Sequence, residues 1–286
     1  MHDLPSIGEE KRLGPSFHRT FPFNCSAVSA LLSLAARYES EPEVRITKDV
    51  IKKETLLGIQ YVEAMPRYAQ AGGLLDSKNR LTPLGRRVAA HDVSLERRET
   101  LWMIHYHLAR RDGLAPRFWG YLFEEVMHSG DSLERDRVAS LIREVSQSQQ
   151  DVLISDETAA AAATVFLKTY SSGESLGRLS ILQDDGGGCY SVLETESPTS
   201  IVFALVVADY WAKNLRETTS AFIDEFNKVG GPAQVLLMGR GQVNHAMREL
   251  SRMGLATVQL NQPPYQFSPL WKNQDELLDR IYAPDA

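Results

Sequence analysis

Cysteine is scarce in this chain, with only Cys25 and Cys189 among 286 residues. Two thiols so far apart build neither a disulfide framework nor a metal knuckle, so both are expected to be reduced packing residues in a cytoplasmic protein. Long apolar runs are missing too: nothing approaches the roughly eighteen residues of a membrane span, and Met1 to Arg12 is polar and charged with no apolar h-region. An excess of positive charge is also absent. Lys and Arg number 31 against 37 Asp and Glu, a net charge of −6, which argues against a nonspecific nucleic-acid coat. No Walker loop occurs, since Gly239-Arg240-Gly241 lacks the Lys-Ser/Thr pair that contacts phosphate and metal. Neither a PD-(D/E)xK pattern between strands, nor an HNH pairing, nor a cluster of three acidic residues can be found.

What is present is helical spacing punctuated by glycine. The hydrophobic content of 43% suffices for packed cores, and the length for two or three domains. Residues 67–88 read as the end of a helix, a stop at Gly72-Gly73, a short strand (Leu74, Leu75), a polar turn from Asp76 to Arg80, a return through Leu81-Thr82-Pro83-Leu84-Gly85, and an exit helix beginning at Arg86. This is the grammar of a winged helix. Thr47 caps a helix through Lys53, and the next helix, Leu56 to Gln70, contains Pro66 and either kinks there or is two pieces. The same grammar recurs in Gln242–Arg252, Gly254, a strand over 255–260, a turn at Asn261–Pro264 and a strand over 265–270, but with no Lys or Arg between Thr257 and Leu270.

The fold expected is therefore mainly α with small β-hairpin wings. A flexible tail (1–15) precedes an N-terminal winged-helix-like DNA-binding domain (16–92). A helical middle domain (93–200) follows, built on Leu95–Val126, Leu133–Ser146 and an Asp156-capped helix to Tyr170, with a hairpin turn at Asp184–Gly188. A C-terminal helical and winged-helix-like domain (201–286) begins with helices over Ile201–Arg216 and Ala221–Val229. Residues 1–91 hold thirteen Lys/Arg against ten Asp/Glu, while the remainder holds eighteen against twenty-seven. DNA is thus expected at the N-terminal third, through Lys78 and Arg80 of the wing, Arg86 and Arg87 of the exit helix, and Arg19, Lys48, Lys52, Lys53 and Arg67 around it.

Several blocks resemble a known bacterial family. Phe17-His18-Arg19-Thr20-Phe21-Pro22 is similar to its opening His-x-Thr-Phe signature. Asp92-Val-Ser-Leu95-Glu96 running on to Thr100-Leu101-Trp102-Met103-Ile104-His105 is similar to its Asp-x-x-Leu-Glu-x-x-x-Thr-Leu-Trp-x-x-His block. The run ending Ala71-Gly72-Gly73-Leu74-Leu75, and Phe166-Leu167-Lys168-Thr169-Tyr170, also fit domain-of-unknown-function family number 4007, over most of residues 16–271. The resemblance implies a place among proteins that replace a DNA phosphate oxygen with sulfur (phosphorothioation), beside a cysteine desulfurase, an ATPase and a PAPS-reductase-like enzyme. It implies the role of the B component of the Ssp phage-defence system, a DNA nickase using Mg2+ or Mn2+. Where the family has Gly-Lys-Asn-Met-Val, this chain has Gly58-Ile59-Gln60-Tyr61-Val62, which removes a cationic and an amide side chain from the helix expected to face DNA.

Strand scission needs an activated water and charge neutralisation on the phosphoryl oxygens, which carboxylate-held divalent cations supply. Asp92 and Glu96 are four apart and share a face if helical, so they are the expected metal ligands, with His18 or His105 as base or phosphate partner. A helix-capping Asp92 and a hydrogen-bonded core His105 are the structural alternatives. Two further functions remain open: a non-enzymatic winged-helix adaptor on double-stranded DNA, and a regulator of the modification locus acting as a homodimer.

Overall fold

Side-chain caps and glycine stops set several helix limits in the computed structural model, which describes residues 12–150, 152–259, 263 and 265–282. The Asn24 side chain accepts the Ala27 amide and starts α1 (Cys25–Arg37), whose Val28, Leu31, Leu32 and Ala35 are buried as their spacing requires. Thr47 accepts the Val50 amide and starts α2 (Lys48–Glu54). The third helix, α3 (Ile59–Ala71), runs unbroken through Pro66 but begins after a Gly58 cap rather than at Leu56, because Thr55 has already turned the chain into extended backbone. It stops at Gly73 (φ 76°), where an added Cβ would lie 2.6 Å from the His107 ring. The expected wing is reduced to a single bridge, Leu75 to Leu81. Thr82 then accepts the Gly85 amide and Pro83 occupies the first position, so α4 (Pro83–His91) begins three residues before the expected Arg86.

The middle of the chain is helical, as expected, with α5 (Arg98–Ala109), α6 (Arg117–Tyr121), α7 (Arg135–Gln150) and α8 (Asp156–Ser171). A π-helical turn (Leu122–Val126) continues α6. Every residue of α5 from Thr100 to Tyr106 is buried, in keeping with its all-round apolar sequence. The cap of α8 is Ser155, one residue before the expected Asp156. The Asp184–Gly188 turn joins β2 (Leu182–Gly186) to β3 (Cys189–Val192). An unforeseen β1 (Ser132–Glu134) pairs with β3 to give an antiparallel sheet of order β1-β3-β2.

Beyond it lie α9 (Ser200–Asn214), β4 (Ala221–Phe222), α10 (Pro232–Val235), α11 (Arg240–Arg252), β5 (Ala256–Gln259), β6 (Gln266–Pro269) and α12 (Gln274–Tyr282). The helix expected over Ala221–Val229 does not form. Ala221 and Phe222 pair with Phe267 and Gln266, which leaves only a 3-10 turn at Ile223–Asn227. The second sheet has the order β4-β6-β5. The turn expected at Asn261–Pro264 falls largely outside the described residues, as do positions 1–11 of the expected tail. Residues 12–15 are held, with the Leu13 amide donating to the Leu114 carbonyl at 2.8 Å. Buried residues from Phe17 to Tyr282 form one contiguous core, so the boundaries expected near 92 and 200 cross packed side chains. No described helix is long and apolar enough to cross a membrane.

Candidate nucleic-acid interface and charged pocket

Three of the nine expected DNA-facing cations have neither an ion pair nor a carbonyl acceptor among the described residues. Arg19 and Lys48 both reach Glu63, at 3.0 and 3.2 Å, and together they hold its carboxyl below the ordinary value. Arg67 donates to the Phe17 carbonyl, Arg86 lies 2.9 Å from Glu39, and Arg87 lies 3.0 Å from Asp279 and 3.3 Å from Asp275. The wing corrects the sequence reading most sharply. The Asp76 carboxylate takes the Lys78 and Arg80 amides, each at 2.8 Å, and Asn79 adopts φ 60°. This tight turn folds Arg80 inward, where its guanidinium donates to the carbonyls of Tyr38, Glu41 and Val44. Arg80 is thereby a brace for the α1–α2 connection. Lys52, Lys53 and Lys78 remain exposed and unpaired among the described residues; Leu56 is fully exposed and Ile59 largely so.

The expected carboxylate pair does not assemble. Asp92 is the C-cap of α4, not a helix N-cap, and the five residues after it are non-helical, so Asp92 and Glu96 share no helix face. Both Asp92 oxygens are occupied by backbone amides, those of Glu96 at 2.8 Å and Arg97 at 3.1 Å, while the Glu96 side chain is exposed. His105 is fully buried. Its Nε2 donates to the Val235 carbonyl at 2.7 Å, and its Nδ1 accepts from the Tyr170 hydroxyl at 3.0 Å, a tautomer assigned from this network. Burial lowers its pKa to about 4. His18 is buried in the turn before Arg19 and Thr20, both at positive φ; its Nδ1 accepts the Thr20 amide and its Nε2 has no partner. Desolvation lowers its pKa to about 4 as well.

A site the sequence reading missed lies between α5 and α9. A cavity of about 270 Å³ is lined by Tyr106, Arg110, Arg111, Asp112, Asp209 and Lys213, among others. Asp209 accepts from the Tyr106 hydroxyl, from Arg110 at 3.0 Å and from Lys213 at 2.7 Å. Lys213 also reaches Asp112 at 2.7 Å, so two carboxylates converge on one ammonium. Burial opposes the Asp209 charge, but Arg110 and Lys213 outweigh it and the pKa falls. Burial and the neighbouring Asp209 drive Tyr106 strongly upward. The overlooked signal was one carboxylate in an otherwise apolar helix, Ile201 to Ala212, where burying an unpaired charge is costly. Beside the pocket, Glu124 (side chain 0% exposed) pairs with buried Arg117.

A family model described as "Protein of unknown function (DUF4007)" matches residues 53–264. Two solved structures superpose on the chain with TM-score 0.73: a magnesium ion-bound SspB at 16% identity and SspB at 18%. Each alignment covers 93% of this chain and 87% of the other. No curated protein sequence matches the chain.

Proposed function

The chain belongs to the DUF4007 family, and on that premise we propose that it is the DNA-binding component of a DNA phosphorothioation system, nicking one strand with Mg2+ or Mn2+ so that sulfur can be installed. The observation that carries this reading is the near full-length likeness of its fold to SspB, one of whose structures holds magnesium. Both ends of the chain enter this reading as winged-helix-like units, supported by the three-stranded sheet at the C-terminal end and the single bridge after α3 at the N-terminal end. Lys52, Lys53 and Lys78 offer duplex phosphates three exposed ammonium groups that have no partner among the described residues. The cysteine desulfurase, the ATPase and the PAPS-reductase-like enzyme are the protein partners this reading brings with it.

Asp92 and Glu96 do not fit a divalent cation as a pair, because amides consume the first and the second is exposed further along the same loop. No group of three or more His, Cys, Asp or Glu among the described residues is arranged to hold a metal. Asp112 and Asp209 fit better, since their oxygens already converge on one cationic atom, and Mg2+ commonly takes one or two carboxylates and completes its shell with water and substrate phosphate. A divalent ion bound there would neutralise phosphoryl charge and supply an acidified water. Arg111, 62% exposed against 17% for the doubly ion-paired Arg110, is the cation of this pocket that would orient a phosphate, and Tyr106 keeps its proton at neutral pH.

The test is conversion of supercoiled plasmid to open circle by purified protein with Mg2+ or Mn2+, stopped by EDTA. Asp112→Asn, at a half-exposed side chain, should cut the rate by roughly 100-fold or more, the scale on which positioned catalytic groups act. Glu96→Ala should leave it unchanged. Full activity in Asp112→Asn removes the pocket from the mechanism, and no conversion by the unaltered chain removes the nicking.

A further inference from the structure

The C-terminal unit carries a helix face that this reading leaves unused. Val243, Ala246, Met247 and Leu250 of α11 are buried, and the helix packs on α9 and β5. The outward face displays Arg240, His245, Arg248, Ser251 and Arg252, with Asn244 half-buried at its edge. Its one acidic residue, Glu249, is bound to Arg252. Arg240 and Arg248 have no ion-pair partner among the described residues and are exposed. The chain order α9, β4, α10, α11, β5, β6, with sheet order β4-β6-β5, places α11 as the second helix of a helix-turn-helix backed by a wing. In such units that helix lies in the major groove.

The dimensions and side chains suit that position. Arg240 and Arg248 are eight residues apart, about 12 Å along the helix axis. The major groove is also about 12 Å wide and admits an α-helix. Two unpaired guanidinium groups fit phosphates on the groove walls, and an asparagine amide such as that of Asn244, lying between them, matches the donor and acceptor pair of an adenine edge. The missing cations between Thr257 and Leu270 are then no obstacle, because the helix supplies the charge that the wing lacks.

We propose that the exposed face of α11 is a second DNA-contacting surface, which enters the major groove of a duplex with Arg240 and Arg248 on backbone phosphates and Asn244 towards the bases. It rests on the DNA binding proposed above and adds where a second part of the duplex is held.

The experiment is fluorescence anisotropy of a labelled duplex titrated with the full chain over a salt series. Arg240→Glu with Arg248→Glu is compared with Arg135→Glu with Arg137→Glu, the same charge change on the exposed start of α7. The α11 variant should bind about tenfold or more weakly at roughly 100 mM salt, with a log–log salt slope shallower by about 1.8, or 0.9 for each phosphate no longer neutralised. The α7 variant should stay within about twofold of the unaltered chain, and the melting temperature of both should match it. An α11 variant that binds as well as the unaltered chain, or no worse than the α7 variant, overturns the α11 assignment and leaves DNA binding by the chain standing. Failure of the unaltered chain to bind duplex overturns the function itself, and this assignment with it.

Discussion

The two ends of the molecule share an order of elements but use their cations differently. In the N-terminal unit, six of nine expected DNA-facing cations are committed to Glu63, Glu39, Asp275, Asp279 or backbone carbonyls. In the C-terminal unit the wing has no Lys or Arg, yet Arg240 and Arg248 stand on the outward face of α11 with no partner among the described residues. The lesson is that a count of basic residues along a sequence does not locate a cationic surface. The partners made in the fold decide which charges are left for a polyanion, because the donors of an ion-paired or carbonyl-bound guanidinium are already engaged.

That comparison can be broken or sharpened at four points. The largest effect is expected where the units meet. Tyr282, on the last turn of α12, hydrogen-bonds to Thr100 at 2.8 Å, stacks on His91 and lies under the Arg97 guanidinium. Tyr282→Ala should cost about 3–4 kcal/mol in denaturant unfolding while the transition stays single. Two separate transitions in the unaltered chain would show that the units fold independently, against the continuous core.

Acid should act next most strongly. His18 and His105 each have a folded pKa of about 4, below the ordinary value of 6.5, because burial disfavours the charged ring. The unfolded chain therefore binds more protons between those values, and stability is lost as the pH falls from about 6.5 towards 4. For His105 alone the loss is about 3 kcal/mol at pH 4. A His105→Asn variant, less stable at pH 7, should show a flatter dependence over this window in thermal melts.

Third, Arg80→Ala should cost about 2 kcal/mol, since three carbonyls between Tyr38 and Val44 lose a charged donor, with little change in duplex affinity. A strong affinity loss at unchanged stability would restore Arg80 to the DNA surface. The smallest effect is Lys78→Ala: no measurable loss of stability, and a binding slope shallower by about 0.9.

Features with local causes could be read from the sequence. The cap at Thr47, the glycine stops at Gly73 and Gly254, the Asp184–Gly188 hairpin and the burial of α5 each follow from a few neighbouring residues. Features with distant causes could not. Short β1 and β4 exist only because β3 and β6 pair with them, and the inward turn of Arg80 depends on carbonyls about forty residues away. The site divides along the same line. In sequence Asp92 reads as either a cap or a ligand, and the fold gives both its oxygens to amides. Convergence of Asp112 with Asp209 spans 97 positions and becomes visible only when α5 and α9 pack.

The claim that this acidic chain grips duplex DNA is tested most directly by the salt dependence of duplex binding by the unaltered protein. Lys52, Lys53, Lys78, Arg240 and Arg248 together predict a log–log slope of about −4.5, or 0.9 for each phosphate neutralised. A flat line, or no binding even in dilute buffer, would contradict it.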